Sequence, residues 1–272
     1  MTAKLHTEIL DGVAIVRFDN PPLGFLDGEM AVAFDAQLQG LVARKDLRVI
    51  VLTGATDGVF IRHFDLGELA QSADALAAGP PSTGAHWEES IFHRITRQIE
   101  TCDVPVIAAI NGDCMGVGLE LALACDMRIA RSGPYSIGWP EMNIAMFPGG
   151  GGTVRLARML GPALAFELIA TATVLEPLEA QRRGLVNHVA SDPLGLALEL
   201  AKTLAQRSRS GIAAAKRIIG ASNDLSIEGA LSLEQMEVNA RLGSEEVRAA
   251  LQTYVRTGTD LRQLAEPGEQ KM

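Results

Sequence analysis

The sequence predicts an α/β fold that carries a helical C-terminal region, and three observations lead to this prediction. Asp11-Gly12 separates two short apolar runs, as the turn of a β-hairpin does. The runs RVIVLTG and VPVIAAING are continuously apolar, as in strands that are buried on both faces. From about residue 161 onward, helical segments follow one another. Strands that alternate with helices favour crossover connections in an α/β domain.

The elements are predicted in chain order. After the hairpin, apolar residues recur with helical spacing over residues 28–44. The strand RVIVLTG follows, then a Pro/Gly-rich segment at residues 71–84 that predicts a mobile loop, and a helix over 86–102. The strand VPVIAAING leads through a turn into the helix of MGVGLELALACDM, and RIA is a short strand. The later helices are expected at residues 162–172, 177–183, 193–207, 210–221, 226–241 and 244–256, with one strand at LVNHVA.

Because helices dominate the last part of the chain, we divide the chain into a core domain, residues 1–200, and a C-terminal helical region, residues 201–272.

Composition excludes several classes of protein. The net charge of −9 argues against the basic face of a nucleic-acid-binding protein. Cys102, Cys114 and Cys125 are odd in number and lack CxxC spacing, which favours a reducing compartment over a disulfide framework. The N-terminus has no apolar signal segment, and no uncharged run is long enough to span a membrane. We expect a cytoplasmic protein without a membrane partner.

The stretch PVIAAINGDCMGVGLELALACDMRIA, residues 105–130, is the most informative. Gly116 and Gly118 flank Val117 where the chain enters an apolar helix. The first amides of a helix have no internal partner and lie at its positive end, so such a turn can hold a phosphate or an oxyanion. Glu120 follows among apolar neighbours. It is either a carboxylate favoured by the helix dipole or a catalytic group whose pKa is raised by burial.

A second stretch, residues 135–161, places Glu141 after Trp139-Pro140 and before another apolar run. Its four glycines, Gly149–Gly152, lead into a helix with Arg155 and Arg158. The run is a weak signal for a phosphate loop. It lacks the Gly-Lys-Ser/Thr of a Walker loop and is not a dinucleotide fingerprint.

These two stretches, together with AQRRGLVNHV and VIVLTGATDGVF, resemble the enoyl-CoA hydratase/isomerase (crotonase) family over roughly residues 5–260. The resemblance implies a spiral of stacked ββα units rather than one flat doubly wound sheet. It also implies that the C-terminal helices form a trimerisation region, so that the partners are copies of the chain in a homotrimer or a dimer of trimers.

The resemblance also implies a site. The backbone amides of Phe64 and Val117 would form the oxyanion hole for a thioester carbonyl, and Glu120 and Glu141 would be the catalytic acid–base pair. It implies reversible hydration of a 2-enoyl-CoA, with Glu120 activating water and Glu141 supplying the α-proton. This reaction is expected to need no metal or redox cofactor, only coenzyme A as part of the acyl-CoA substrate. Two carboxylates suit hydration, whereas an isomerase can shuttle one proton with a single carboxylate.

Other activities stay open on this fold. They are Δ3–Δ2 enoyl-CoA isomerisation, hydrolysis or C–C cleavage of a β-keto acyl compound, and a non-catalytic or RNA-binding paralogue. The acidic charge balance weighs against RNA.

The turn before Phe64 departs from the family pattern. Relatives have Phe-small-small-Gly-x-Asp, whereas this chain has Phe60-Ile61-Arg62-His63-Phe64-Asp65. His63 could occupy the glycine's place at positive φ, face the acyl or pantetheine pocket as a donor or base, or belong to a distorted and weakly active turn.

The acids of this turn have a simpler interpretation than metal binding with His63. Asp65 and Glu68 have the spacing of a capping box at a helix start. Arg62 is a hypothetical contact for the coenzyme's phosphates. Bulky candidates for the acyl pocket are Phe64, Trp87, Trp139 and Phe147, and core packing is an equal alternative for each. The residues expected to contact the acyl-CoA are Phe25, Arg62, His63, Asp65, Gly116, Gly118, Trp139 and Tyr254.

Overall fold

A computed structural model describes residues 4–79 and 89–258 and places ten strands in them. In chain order the strands are β1 Lys4–Leu10, β2 Val13–Asp19, β3 Val49–Gly54, β4 Gly58–Ile61, β5 Val106–Ile110, β6 Gly112–Met115, β7 Met127–Arg131, β8 Ile137–Gly138, β9 Val174–Leu175 and β10 His188–Ala190. The predicted hairpin is confirmed, because β1 and β2 pair antiparallel. The strands β4 and β6 were not predicted, since four residues are too few to show a pattern apart from the turns around them.

Eleven α-helices complete the described chain. They are α1 Gly28–Val42, α2 Leu66–Ala78, α3 Ile91–Thr101, α4 Val117–Ala124, α5 Gly152–Leu160, α6 Pro162–Ala170, α7 Pro177–Arg182, α8 Pro193–Ala205, α9 Arg209–Ala221, α10 Ile227–Leu242 and α11 Glu245–Thr257. A 3-10 helix spans Pro140–Ile144. The helices predicted after residue 161 are confirmed to within a few residues at their ends.

The loop predicted at residues 71–84 is wrong as far as Ala78, where α2 ends. Alanines are frequent in that stretch, and alanine is the strongest helix former. The helix predicted from residue 86 begins at Ile91, where the Ser90 hydroxyl accepts from the His93 amide. Residues 80–84 of the predicted loop and Trp87 lie outside the described residues.

The strands form two sheets. The larger sheet has the order β1-β2-β3-β5-β7-β10 and is parallel apart from β1. The smaller has the order β4-β6-β8-β9, with only β9 antiparallel. Consecutive strands enter different sheets, as β3 and β4, β5 and β6, or β7 and β8 do, and helices follow each pair. This repetition confirms the expected ββα units.

The core occupies both faces of the larger sheet. Residues of β3 alternate between the faces: Ile50 and Leu52 lie in the cluster that includes residues of α1, α3 and α4, while Val49 and Val51 lie in the cluster with α8. Burial on both faces explains the uninterrupted apolar run of this strand. Each such fully buried side chain contributes about 1.5–3 kcal/mol of transfer free energy.

The last three helices, α9, α10 and α11, pack on one another in sequence, and α9 contacts α3. On α9, the Lys216 ammonium donates to the carbonyls of Ile99 and Val104 and pairs with Asp126 at 2.7 Å, which fixes α9 beside α3. The helix α10 then packs on α9, and α11 on α10. Both later helices expose large apolar side chains, Ile227, Leu231, Met236, Leu251 and Val255 among them. The division of the chain at residue 200 stays a prediction.

None of the helices among the described residues is long and apolar enough to cross a membrane.

Candidate active site

Three parallel strands of the smaller sheet end at the same edge. Ile61 of β4 pairs with Cys114 of β6, and Cys114 pairs with Ile137 of β8. Because the carboxyl ends of parallel strands lie together, the turns that follow these strands are neighbours. They contain Phe64, the segment from Gly116 to Glu120, and Glu141. The structure thus brings together the four residues on which the predicted chemistry depends.

The turn after β4 is held in an extended conformation. The His63 carbonyl accepts from the Leu26 amide at 2.9 Å, and the Asp65 amide donates to the Leu26 carbonyl at 2.8 Å. Phe64 is bridged in parallel to Leu26 between these bonds. Its own N–H has no hydrogen-bond acceptor among the described residues.

The prediction that His63 takes a positive φ is wrong. In the described part of the chain the non-glycine residues with positive φ are Asp11, Ala145 and Ala172. The bridge to Leu26 keeps the turn extended, and an extended backbone accepts any residue.

The turn after β6 presents the second amide. Gly116 has φ 50° and ψ −127°, a conformation that L side chains rarely adopt, and Val117 is the first residue of α4. The Val117 N–H has no acceptor within the described residues, as expected at a helix start. A Cβ atom on Gly118 would collide with the Ile61 carbonyl oxygen, so α4 begins directly against the end of β4. The turns after β4 and β6 thus each present one backbone N–H group without an acceptor among the described residues.

Glu120 is almost completely enclosed, with 4% of its surface exposed. Its Oε1 accepts two hydrogen bonds of 2.8 Å, from the amides of Gly150 and Gly152. Burial raises the pKa of Glu120, and these two bonds oppose that rise. A Cβ on Gly150 would lie 2.9 Å from Glu120 Oε2, and one on Gly152 would lie 2.7 Å from Glu120 Cγ. The glycines are therefore required for this contact.

We call Gly149–Gly152 the glycine cradle, because its amides bind the carboxylate of Glu120. Sequence reasoning considered a phosphate loop for these residues and missed this role. The run of four glycines is itself unusual and marks the segment as special. Nothing in the sequence, however, links this run to Glu120, thirty residues before Gly150.

Glu141 lies in the 3-10 helix after β8, and a hydrogen bond from its own backbone amide acts to lower the pKa of its carboxyl group. Its Oε2 is buried and has no hydrogen-bond partner in the described part of the chain. Burial, with a smaller contribution from the charge of Glu120, raises the pKa of Glu141 to about 7. A Cβ on Gly116 would lie 2.6 Å from Glu141 Oε1, which places this carboxyl group beside the Val117 turn.

A small cavity of about 10 Å³ lies next to Val117 and Glu120. Apart from Glu120 its lining is largely apolar and comes from α1, α3, α4 and adjoining segments: Leu26, Ala31, Phe34, Phe92, Ile95, Thr96, Leu121 and Gly150. The ring of Phe64 meets that of Phe92 edge to face at 5.5 Å. Of the aromatic pocket candidates, Phe64 is therefore near this cavity, whereas Trp139 is core with 1% of its surface exposed, and Phe147 is exposed.

The His63 ring is held beside the turn. It stacks on Phe25, with ring centroids 4.3 Å apart. Its Nδ1 lies 2.7 Å from the Phe64 carbonyl oxygen, and because a carbonyl only accepts, Nδ1 donates. In residues 4–79 and 89–258 no group of three or more His, Cys, Asp or Glu side chains could hold a metal ion.

The capping box is only half confirmed. Asp65 is the N-cap of α2 and accepts from the amides of Gly67 and Glu68. Glu68 does not reach back to Asp65, because the Asp65 amide already donates to the Leu26 carbonyl. Its carboxylate instead accepts from the Gly28 amide at 2.8 Å and so caps α1.

Arg62 and Tyr254 were also expected to contact the coenzyme, and the structure gives them other surroundings. Arg62 pairs with Asp113 at 3.2 Å and so links the turn after β4 to β6. Tyr254 lies exposed on α11, and within the described chain no contact joins it to the turns.

A sequence model of the enoyl-CoA hydratase/isomerase family matches residues 8–261 of the chain. Solved structures resemble the fold closely. The enoyl-CoA hydratase from Bacillus anthracis is 27% identical with a TM-score of 0.82, and the match covers 93% of this chain and 96% of that one. The enoyl-CoA hydratase from Thermoplasma volcanium is 29% identical with a TM-score of 0.80, covering 92% and 96%. A probable enoyl-CoA hydratase/isomerase from Mycobacterium abscessus is 26% identical with a TM-score of 0.77, covering 94% and 96%.

Proposed function

Because the chain belongs to the enoyl-CoA hydratase/isomerase family, we propose that it reversibly hydrates a 2-enoyl-CoA to a 3-hydroxyacyl-CoA. The observation that carries the proposal is the sheet edge where two carboxyl groups of raised pKa meet two unpaired backbone amides. Hydration needs a base for water, an acid for the α-carbon and donors for the enolate oxygen. This edge offers a candidate for each.

The substrate's thioester carbonyl would lie between the N–H groups of Phe64 and Val117. When hydroxide adds to C3, negative charge moves to the carbonyl oxygen, and both donors bind it more strongly than they bind the neutral carbonyl. The N-terminal end of α4 adds its dipole at the same point. Apolar side chains near Val117, among them Leu26 and Phe92, would face the hydrocarbon end of the acyl group.

We assign the base to Glu120 and the acid to Glu141. Glu120 Oε1 is occupied by two N–H donors, which favour the ionised form and leave Oε2 to take a proton from water. Glu141 accepts only from its own backbone amide and, with a pKa of about 7, is protonated in about half of the molecules at neutral pH. Glu141 would give this proton to C2 of the enolate as Glu120 receives one from water. The reverse reaction exchanges the two roles.

In this scheme no metal or redox cofactor takes part, and coenzyme A enters as part of the substrate. The coenzyme arm would pass the stacked pair of Phe25 and His63, which lies beside Phe64. We also propose a cytoplasmic location, in keeping with three cysteines that are all free thiols.

The test is the loss of enone absorbance when crotonyl-CoA is hydrated. We expect Glu120→Gln and Glu141→Gln each to lower kcat by about 100- to 10,000-fold, the usual range for a catalytic acid or base. Glu199→Gln, the same change at an exposed residue of α8, is the matched control and should keep the full rate. Full activity of the Glu120 variant would overturn the two-carboxylate mechanism.

A panel of substrates separates hydration from the other reactions of the fold. Wild-type protein would be offered 2-enoyl-, 3-enoyl- and β-ketoacyl-CoA thioesters. We expect turnover of a 2-enoyl thioester with uptake of water. Conversion of the 3-enoyl thioester alone would replace the proposal by isomerisation.

We further propose that α10 and α11 form contacts between copies in a homotrimer or a dimer of trimers. The support is the apolar surface they expose, including Ile227, Leu231, Met236 and Val255. Light scattering of the purified full chain gives the mass directly. A monomer at micromolar concentration would contradict this assignment.

A further inference from the structure

A histidine outside the two catalytic turns is hydrogen-bonded to the glycine cradle. His93, the third residue of α3, places its Nε2 at 3.0 Å from the Gly149 carbonyl oxygen. Because the carbonyl only accepts, Nε2 carries the hydrogen and donates it. The amide on the other side of the same peptide unit, Gly150 N–H, donates to Glu120 Oε1 at 2.8 Å. One peptide unit therefore connects the imidazole to the carboxylate.

A peptide unit is planar, so fixing its C=O direction also fixes the direction of its N–H. Hydrogen bonds through such a unit polarise one another, so a donor on the carbonyl strengthens the bond that the N–H makes. The glycines of the cradle have no side chains that could fix their backbone by packing, and Gly151 adopts φ 103°. The direction of the Gly150 amide thus depends on groups from other elements.

Arg155 holds the cradle on its other side. Its Nη1 donates to the Gly150 carbonyl at 3.4 Å, and two bonds of 2.6 and 2.7 Å fix its guanidinium to Glu100. The charged and titratable groups that face Glu120 are therefore His93, Arg155 and, across the edge of the sheet, Glu141. At 3.0 Å, the bond from His93 to the cradle is shorter than the 3.4 Å bond from Arg155.

We propose that His93 is a positioning residue that orients the carboxylate of Glu120 by holding the Gly149–Gly150 peptide unit. It does not touch the reacting atoms. The expected effect of His93 on the hydration rate rests on the proposed function. Its expected effect on the orientation and pKa of Glu120 does not.

The first test needs no turnover. Carbon-13 NMR of labelled glutamate side chains follows the titration of Glu120, which is assigned by comparison with Glu120→Gln. In His93→Leu, which lacks the donor, we expect the pKa of Glu120 to rise, because a misdirected amide stabilises the carboxylate less. His93→Asn keeps a polar group too short to reach Gly149 and should behave in the same way. His93→Gln places an amide N–H at similar reach and should restore the wild-type titration.

The second test is kinetic. We expect His93→Leu to lower kcat for hydration about tenfold with KM nearly unchanged, and to move the acid limb of the pH profile upward. His93→Gln should recover most of that loss. His188→Leu makes the same chemical change at an exposed residue of β10 and should change neither quantity.

The outcomes separate the two proposals. Wild-type titration of Glu120 in both His93→Leu and His93→Asn would overturn the positioning role, whatever the activity. A normal hydration rate in Glu120→Gln would overturn the proposed mechanism, while the titration would still decide whether His93 orients that carboxylate. If His93→Leu fails to fold, the comparison of His93→Asn with His93→Gln carries the test.

Discussion

Glu120 and Glu141 share one edge of a sheet, but the chain surrounds them differently. Glu120 is enclosed between α4 and the glycine cradle, with two backbone amides on one oxygen. Glu141 lies on a short 3-10 helix, and its buried Oε2 has no partner in the described residues. Two donors from another segment favour an ionised and oriented carboxylate, whereas burial with only the residue's own amide as a donor favours the protonated acid. The same side chain can thus be prepared as a base or as an acid by its backbone surroundings.

Removing both carboxyl groups should give the largest effect. If they act in one concerted step, the double variant Glu120→Gln/Glu141→Gln should be about as slow as the slower single variant, because groups that act as a unit are not additive. Single-turnover absorbance of crotonyl-CoA with excess enzyme measures rates this low. A double variant whose loss equals the product of the two single losses would indicate independent roles.

Gly152→Ala tests the surroundings of Glu120 alone. The added Cβ would lie 2.7 Å from Glu120 Cγ, so the carboxylate must move away from its donors. A misplacement of this size is expected to lower kcat about 100-fold. Gly40→Ala adds the same methyl group to α1 where no atom lies within 4 Å, and it should keep the wild-type rate. Equal rates in the two variants would show that the cradle tolerates displacement of Glu120.

Gly116→Ala tests the surroundings of Glu141. A Cβ there would lie 2.6 Å from Glu141 Oε1, in a backbone conformation of φ 50° that disfavours side chains. We expect a loss of about tenfold in kcat and of about 1–3 kcal/mol in the free energy of unfolding. Denaturant titration combined with the hydration assay measures both. Glu141 accepts only from its own amide, whereas Glu120 would lose two donors of the glycine cradle, so the loss of rate should be smaller than in Gly152→Ala. The reverse order would contradict the comparison.

The last prediction concerns how the free energy of unfolding depends on pH. The pKa of Glu141 rises from 4.5 to about 7 on folding, so between these values the native state binds more protons than the unfolded state. The contribution of Glu141 to stability is therefore complete below pH 4.5 and is lost as the pH rises through 7. Glu141→Gln cannot ionise, and its melting temperature should exceed that of wild type at pH 8 by several degrees. At pH 4.5 the two should agree, and a difference that does not change with pH would indicate a packing effect.

The sequence was sufficient for the parts of the site that depend on long local patterns. Residues 105–130 carry both a buried strand and an apolar helix start, and so Val117 and Glu120 could be placed at a helix entry. Phe64 and Glu141 were reached through the family resemblance, since β4 and β8 are too short to be recognised from periodicity.

What the sequence could not provide are contacts between distant segments. The bridge from Leu26 to Phe64 decides the conformation of His63, and positive φ was expected because that bridge is invisible in the local pattern. The partner of the glycine cradle lies thirty residues earlier, and His93 lies on a separate helix. Hydrogen bonds of this kind follow from the packing of the sheets and not from residue spacing.

The parallel bridge between Leu26 and Phe64 also bears on how freely this chain can change. The donor it orients is a main-chain N–H, which every amino acid except proline possesses. Substitutions at residues 61–64 alter the shape and charge around the donor without removing it. Replacing Arg62 or His63 would therefore leave the Phe64 N–H group in place.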